Sequence, residues 1–121
     1  MGQRAEENRI KLPIPHADLS PNARVHWGKK SRQVKSHRSS AFWIAKSEIK
    51  KGVKFKSYRF EFTFKDKIRR DRDNFSARCK SYLDGIADAV GQNDSEWDFN
   101  GVKFNEPDKF NPHVMIIFEV E

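Results

Sequence analysis

The 121-residue chain is sized for one domain, and a chain of that length buries roughly two-thirds of its unfolded surface, enough for a true core. Its composition is 36% apolar and 34% charged, yet ten Phe and three Trp argue against a disordered protein, and the single Cys79 excludes an internal disulfide. The net charge of +7 is uneven: residues 19–60 hold twelve Lys/Arg and one acid, Glu48, a local +11, so the remainder sums to −4, the footprint of a polyanion binder with a localised acidic spot.

Ile10, Leu12 and Ile14 alternate with Lys11 and Pro13, which predicts a short first strand that Pro13 marks as an edge or an end. The stretch HADLSPNARVHWGKKSRQ (16–33) is dense in turn formers and cations and is expected to be an exposed loop. Together with residues 1–8 it makes up the loop or mobile part of the expected domain. A helix should follow from about Val34 to Lys51, where Ala41, Ile44, Ala45 and Ile49 approach helical spacing, with Phe42 or Trp43 beside them and Gly52 as the stop. Tyr58, Phe60, Phe62 and Phe64 then alternate with Arg59, Glu61, Thr63 and Lys65 as a half-buried strand. Val53 and Phe55 fall on the opposite parity, so a bulge or turn is expected near Lys56–Ser57.

A second helix is predicted from about Asn74 to Val90. Phe75, Cys79, Tyr82, Leu83, Ile86 and Val90 form its apolar stripe, Lys80, Asp84 and Asp88 line the other face, and Gly91 suits the C-cap. After a turn at Asn93-Asp94-Ser95 comes a strand with Trp97 and Phe99, where Asn100-Gly101 makes either a tight hairpin or a bulge. A loop, NEPDKFNP, leads to a last strand, Val114 to Val120. The order β-α-β-α-β-β predicts one α/β (α+β) domain over residues 1–121, a mixed sheet with two main helices packed against it.

The start, MGQRAEENR, has no apolar stretch for a signal peptide, and Glu6 breaks the myristoylation pattern. The longest aliphatic and aromatic run, Val114 to Phe118, is far too short to span a membrane. A soluble, cytoplasmic protein is the expectation.

The chemistry concentrates in RRDRDN (69–74), where Asp71 and Asp73 stand among three arginines at the end of a strand and the start of a helix. In extended backbone, residues two apart point to the same side, so both carboxylates would converge on one point. Two plainer readings stand beside that one: Asp73 caps the helix, or Asp71 pairs with a neighbouring arginine. Asp94 lies past the far end of the helix, about 25 Å along the axis from Asp73 at ~1.5 Å per residue. It either returns along the sheet to the Asp71/Asp73 site or is an ordinary turn residue. Other chemistries find little support. The four histidines lack a zinc-type partner spacing, Cys79 belongs to an apolar face, and there is no Gly-rich phosphate loop or Ser-centred elbow.

RRDRDN leading into a helix with YLDGI, followed by NDSEW, resembles the RusA family of Holliday junction resolvases, especially its phage-borne relatives. LPIP…LSPN…HW also looks like that family's proline-rich opening, and the similarity spans about residues 10 to 120. The resemblance implies metal-binding and catalytic aspartates at Asp71, Asp73 and Asp94. It places the family's DNA-acting lysine at Lys80, matched through KSYLD, with Arg78 as a rival because Ala77 stands four residues after Asp73. Asn93 stands where many relatives double the acid. What the family does implies Mg²⁺, with Mn²⁺ as an alternative, a homodimer, and paired nicking of branched DNA. In that setting Arg69, Arg70 and Arg72 would draw the phosphate backbone to the carboxylates, and Lys29, Lys30, Arg32, Lys35 and Arg38 would extend the footprint along the arms. Trp27, Phe42 and Trp43 are expected in core or interface packing rather than as wedges in an opened junction. A non-catalytic DNA- or RNA-binding module and a nuclease without junction preference are the competing readings.

Overall fold

The alternating segments of the sequence become four strands of one sheet in the computed structural model, which describes residues 6–121. They are β1 (Glu7–Leu12), β2 (Phe55–Thr63), β3 (Asp98–Phe104) and β4 (His113–Val120), ordered β1-β4-β2-β3 in space. β4 is antiparallel to both β1 and β2, whereas β2 and β3 are parallel. Parallel neighbours need a crossover. Here it is supplied by α2 (Arg72–Arg78) and α3 (Lys80–Val90), while α1 (Trp27–Glu48) joins β1 to β2. The domain is α+β with a mixed sheet, as the element order predicts. Among the described residues no helix is long and apolar enough to cross a membrane.

Alternation sets the two faces of the sheet apart. Ile10, Leu12, Phe60, Phe62, Val114, Ile116 and Phe118 form a core with Ala41 and Ala45 of α1 and Tyr82, Leu83 and Ile86 of α3. On the opposite face Glu7 bridges Arg59 at 3.0 Å and Arg9 at 3.1 Å. In register, both arginines flank Ile117, which is fully buried. α1 and α3 come close enough that a Cβ on Gly85 would run into the Arg38 carbonyl oxygen, so only glycine permits this approach.

Several details of this layout differ from the sequence expectation or decide between its alternatives, each for a local reason. α1 begins at Trp27, not near Val34, so residues 27–33 of the stretch read as loop are helix. Its cap is His26, whose Nδ1 accepts the Gly28 N–H at 3.2 Å; histidine is not a usual cap, and this polar turn carries no apolar stripe to announce it. β1 starts at Glu7 and pairs it with Glu119, so residues 6–8 are not loose, and residues 1–5 lie outside the described residues. The second helix is two helices. Cys79 sits between them at φ −84°, ψ −1°, with its N–H turned to the Ser76 carbonyl, while the apolar stripe runs across the break unchanged. At Asn100-Gly101 the bulge is the form adopted: Tyr58 pairs with Phe99 and Phe60 with Val102, leaving one extra residue in β3, and Gly101 takes φ +102°. The irregularity expected near Lys56–Ser57 is present as a register shift between Phe55 and Ser57.

Candidate functional site

The chain leaves β2 through a loop whose shape is held by Arg70. Its guanidinium donates to the Asp66 carboxylate at 2.7 Å and to the carbonyls of Asp66 and Ile68 at 3.1 and 3.0 Å, over the Phe64 ring. That bond holds the Asp66 carboxyl below the usual range. Arg70 is therefore a loop brace and not the free phosphate ligand expected of it. The loop delivers Asp71 as the N-cap of α2, with Oδ1 accepting the Asn74 N–H at 3.0 Å. Asp71, not Asp73, is the cap, and the arginine–aspartate pair is Arg70–Asp66. Asp71 is extended at φ −90°, ψ 122°, whereas Asp73 is already helical. The same-side alternation expected of extended backbone therefore does not relate the two, and what they share is the concavity at the strand-to-helix turn. Both are exposed, and with Arg69, Arg70 and Arg72 they line an open concavity of about 550 Å³. Among the described residues the Asp73 carboxylate has no hydrogen-bond or ion-pair partner.

Asn74, to which the sequence reading assigned no role, fixes this turn in place. Its Nδ2 donates to Ser20 Oγ at 2.7 Å, and its Oδ1 accepts from Arg78 Nε at 2.9 Å. Arg78 lies over the Phe75 ring, and burial lowers its pKa. It braces α2 and is spoken for as a cation. The Ser20 loop is pinned in turn. The His16 N–H donates to His37 Nε2 at 3.1 Å, the Tyr82 hydroxyl donates to the Pro13 carbonyl at 2.8 Å, and the buried Asp18 carboxylate lies 3.8 Å from Lys29 Nζ. The signal that marks Asn74 is its place directly after the aspartate pair, where a side chain with both donor and acceptor can tie α2 to a distant loop.

Asp94 does not reach the concavity. It opens the 3-10 turn Asp94–Glu96, and its Oδ2 meets Lys80 Nζ at 2.5 Å, while the same ammonium bonds Asp84 at 2.9 Å. The hydrogen bond to Asp94 raises the Lys80 pKa, with Asp84 adding to it. The loop after α3 thus folds back far enough to bring Asp94 to a lysine of the first helical turn, and no further. Among the described residues no three His, Cys, Asp or Glu side chains converge as a ligand set. The donors present fit Mg²⁺ through Asp71 and Asp73, because that ion keeps several waters and takes one or two carboxylates plus phosphate oxygens. Asp94 would join them only after parting from Lys80.

The basic footprint is similarly divided. Arg38 is drawn into an ion pair with Asp88 at 2.7 Å, which raises its pKa, and Arg72 lies over the Phe104 ring. Lys30, Arg32 and Lys35 on α1, together with Arg69, form no ion pair among the described residues. Trp27 is 78% exposed and Trp43 66% exposed, so of the core or interface packing expected of them neither takes the core; Phe42 is half-buried against Trp43. Cys79 is fully buried, and burial pushes its thiol pKa up, which suits packing and not nucleophilic attack.

No family model matches the chain. It is 40% identical over 90 residues to a protein of Xylella fastidiosa (strain Temecula1) described as "Uncharacterized protein", and the match covers 70% of this chain. The chain spans 59% of the length of that relative, whose description carries no function.

Proposed function

We propose that this chain is a divalent-metal-dependent endonuclease of branched DNA, with Asp71 and Asp73 as the carboxylates that hold the ion. One observation carries the reading: these two carboxylates are exposed in one concavity with Arg69 and Arg72, while the neighbouring acids Asp66, Asp84 and Asp94 are all taken up by ion pairs. Left exposed beside cations that do not capture them, Asp71 and Asp73 keep carboxylate oxygens open to a further cation. They make sense where a phosphate backbone and a divalent cation meet. Mg²⁺ or Mn²⁺ bound there supplies a water of lowered pKa and neutralises charge on the leaving oxygen.

The chain's own residues do the positioning. Arg69 and Arg72 draw a phosphate to the carboxylates and offset the repulsion between them. Asn74 holds the Asp71–Asp73 turn against the Ser20 loop. Lys30, Arg32 and Lys35 continue the cationic surface along α1. Preference for a four-way junction, and the two-fold dimer that would present two such sites to it, rest on the RusA resemblance through RDRDN, YLDGI and NDSEW.

A second reading, a DNA-binding module without catalysis, is favoured by the Lys80–Asp94 pair, in which an ammonium already occupies the third acid of the family pattern. Incubating the protein with a synthetic four-way junction and with a linear duplex of the same arms, in Mg²⁺ or in EDTA, separates the two. Metal-dependent paired nicks confined to the junction are the expected result. Tight binding without cutting at any metal concentration would establish the binding module.

A further inference from the structure

We infer that Trp27, with His26 behind it, is a stacking platform for an unpaired nucleobase of the bound DNA. The inference rests on the DNA-acting role proposed above and adds a part of the substrate to it.

Trp27 is the first residue of α1 and leaves 78% of its surface to water, although an indole is among the most apolar groups a chain can bury. The ring is not simply loose. His26 stacks against it at 5.8 Å between centroids and 29° between planes. The imidazole is itself fixed by its cap bond to the Gly28 N–H. An aromatic pair with one open face is what a base can stack on.

Its surroundings favour a nucleic acid over an apolar partner. Arg24, Lys29, Lys30 and Arg32 flank it, and from residue 19 to residue 47 the sequence has no acid. Only Lys29 of these four has an ion-pair partner among the described residues, the buried Asp18. The same contact ties the platform to the proposed site. Lys29 on the first turn of α1 meets Asp18, two residues before Ser20, and Ser20 accepts the hydrogen bond from Asn74 beside Asp73. A strand whose phosphates lie on Arg69 and Arg72 therefore has an aromatic platform on the element braced against that turn. Stacking on it requires a base free of its duplex, which a branch point or gap supplies and a continuous helix does not.

The test is binding in EDTA by fluorescence anisotropy, with labelled linear duplex, the same duplex interrupted by an unpaired gap, and a four-way junction. Trp27→Ala should weaken gap and junction binding by about 5–150-fold, the equivalent of ~1–3 kcal/mol for one stacked base, and leave the duplex within about twofold. Trp27→Phe should keep most of the affinity but lose the quenching of tryptophan emission on DNA binding, while Trp43→Phe keeps that quenching. Equal losses on all three DNAs, or no loss on any, would overturn the platform. A shift from dimer to monomer in sedimentation of Trp27→Ala would overturn it too, because the open face would then belong to a second copy. Asp73→Asn should retain the gap and junction preference while losing nicking. If the unaltered protein nicks nothing yet shows the Trp27-dependent preference, the platform stands and the nuclease reading falls.

Discussion

Around Asp71 and Asp73 the cations stand beside the carboxylates without capturing them, whereas Lys80 is held between Asp84 and Asp94 at 2.9 and 2.5 Å. Composition is similar in the two places, but the outcome is not. Lys80 sits on the first turn of α3, where a flexible stem reaches the acid four residues on and the one that the turn folds back to it. The arginines nearest Asp71 and Asp73 are engaged elsewhere: Arg70 with Asp66 and the loop carbonyls, Arg72 with the face of Phe104. Lys80 neutralises Asp84 and Asp94 within the fold, whereas Asp71 and Asp73 stay open, as the proposed metal site requires.

Asparagine substitutions at Asp73 and Asp94 are the strongest way to break this contrast. Asp73→Asn should lower junction nicking by about 100-fold or more, since even an outer partner of a metal ligand is worth roughly 10–100-fold. Its stability should stay within about 0.5 kcal/mol, because the side chain is exposed and has no partner among the described residues. Asp94→Asn should do the reverse, with a small loss of stability and a much smaller effect on nicking. Parallel turnover and chemical-denaturation measurements decide the matter. If the two variants lose activity equally, Asp94 leaves Lys80 in the working complex, and the third ligand implied by the resemblance is real.

Asn74→Ala comes next. It removes a bond to Ser20 and a bond to Arg78, both part-buried, and about 1–2 kcal/mol of stability should go with them. Urea denaturation reads that loss, and nicking should fall further than stability alone explains, because the Asp71–Asp73 turn loses its tether. If nicking falls only in step with the folded fraction, Asn74 is structural and nothing more.

Asp71 has two jobs, and two substitutions separate them. Asp71→Ala removes the cap of α2 and should cost about 1 kcal/mol; Asp71→Asn keeps a good cap and should be near neutral. Both should impair nicking to a similar extent if the negative charge is what the site needs. Recovery of activity in Asp71→Asn alone would leave Asp71 as a cap and reduce the open pair to Asp73.

The contrast between the two clusters was only partly legible in the sequence. The strands and the apolar stripe of α2 and α3 announced themselves, because periods of two and 3.6 follow directly from which side chains meet the core. The Asp-x-Asp pair and its cations were equally plain. What periodicity could not express was which arginine is free. Arg69 and Arg70 look identical in a string, and only the loop between β2 and α2 turns the second inward onto Phe64. The start of α1 was hidden because its first turns are polar and its cap is a histidine. The destination of Asp94 depended on how tightly the chain turns after Gly91, which spacing along a helix axis does not specify.

The smallest expected effect lies on the closed side of the comparison and is read by pH. The bond to Asp94 raises the Lys80 pKa above its ordinary 10.5, so the folded state holds this proton more tightly than the unfolded chain. The stabilisation is therefore complete below about pH 10.5 and fades as pH rises through the raised value of the folded state. Because the lysine is more than half exposed, the pair should contribute a few tenths of a kcal/mol to about 1 kcal/mol, and less in high salt. Lys80→Met should remove that alkaline loss while leaving the slope at neutral pH unchanged, measured by denaturant titration between neutrality and pH 11. A larger alkaline loss in Lys80→Met than in the unaltered protein would mean that Asp84 and Asp94 find another cation. The closed cluster would then be no more closed than the open one.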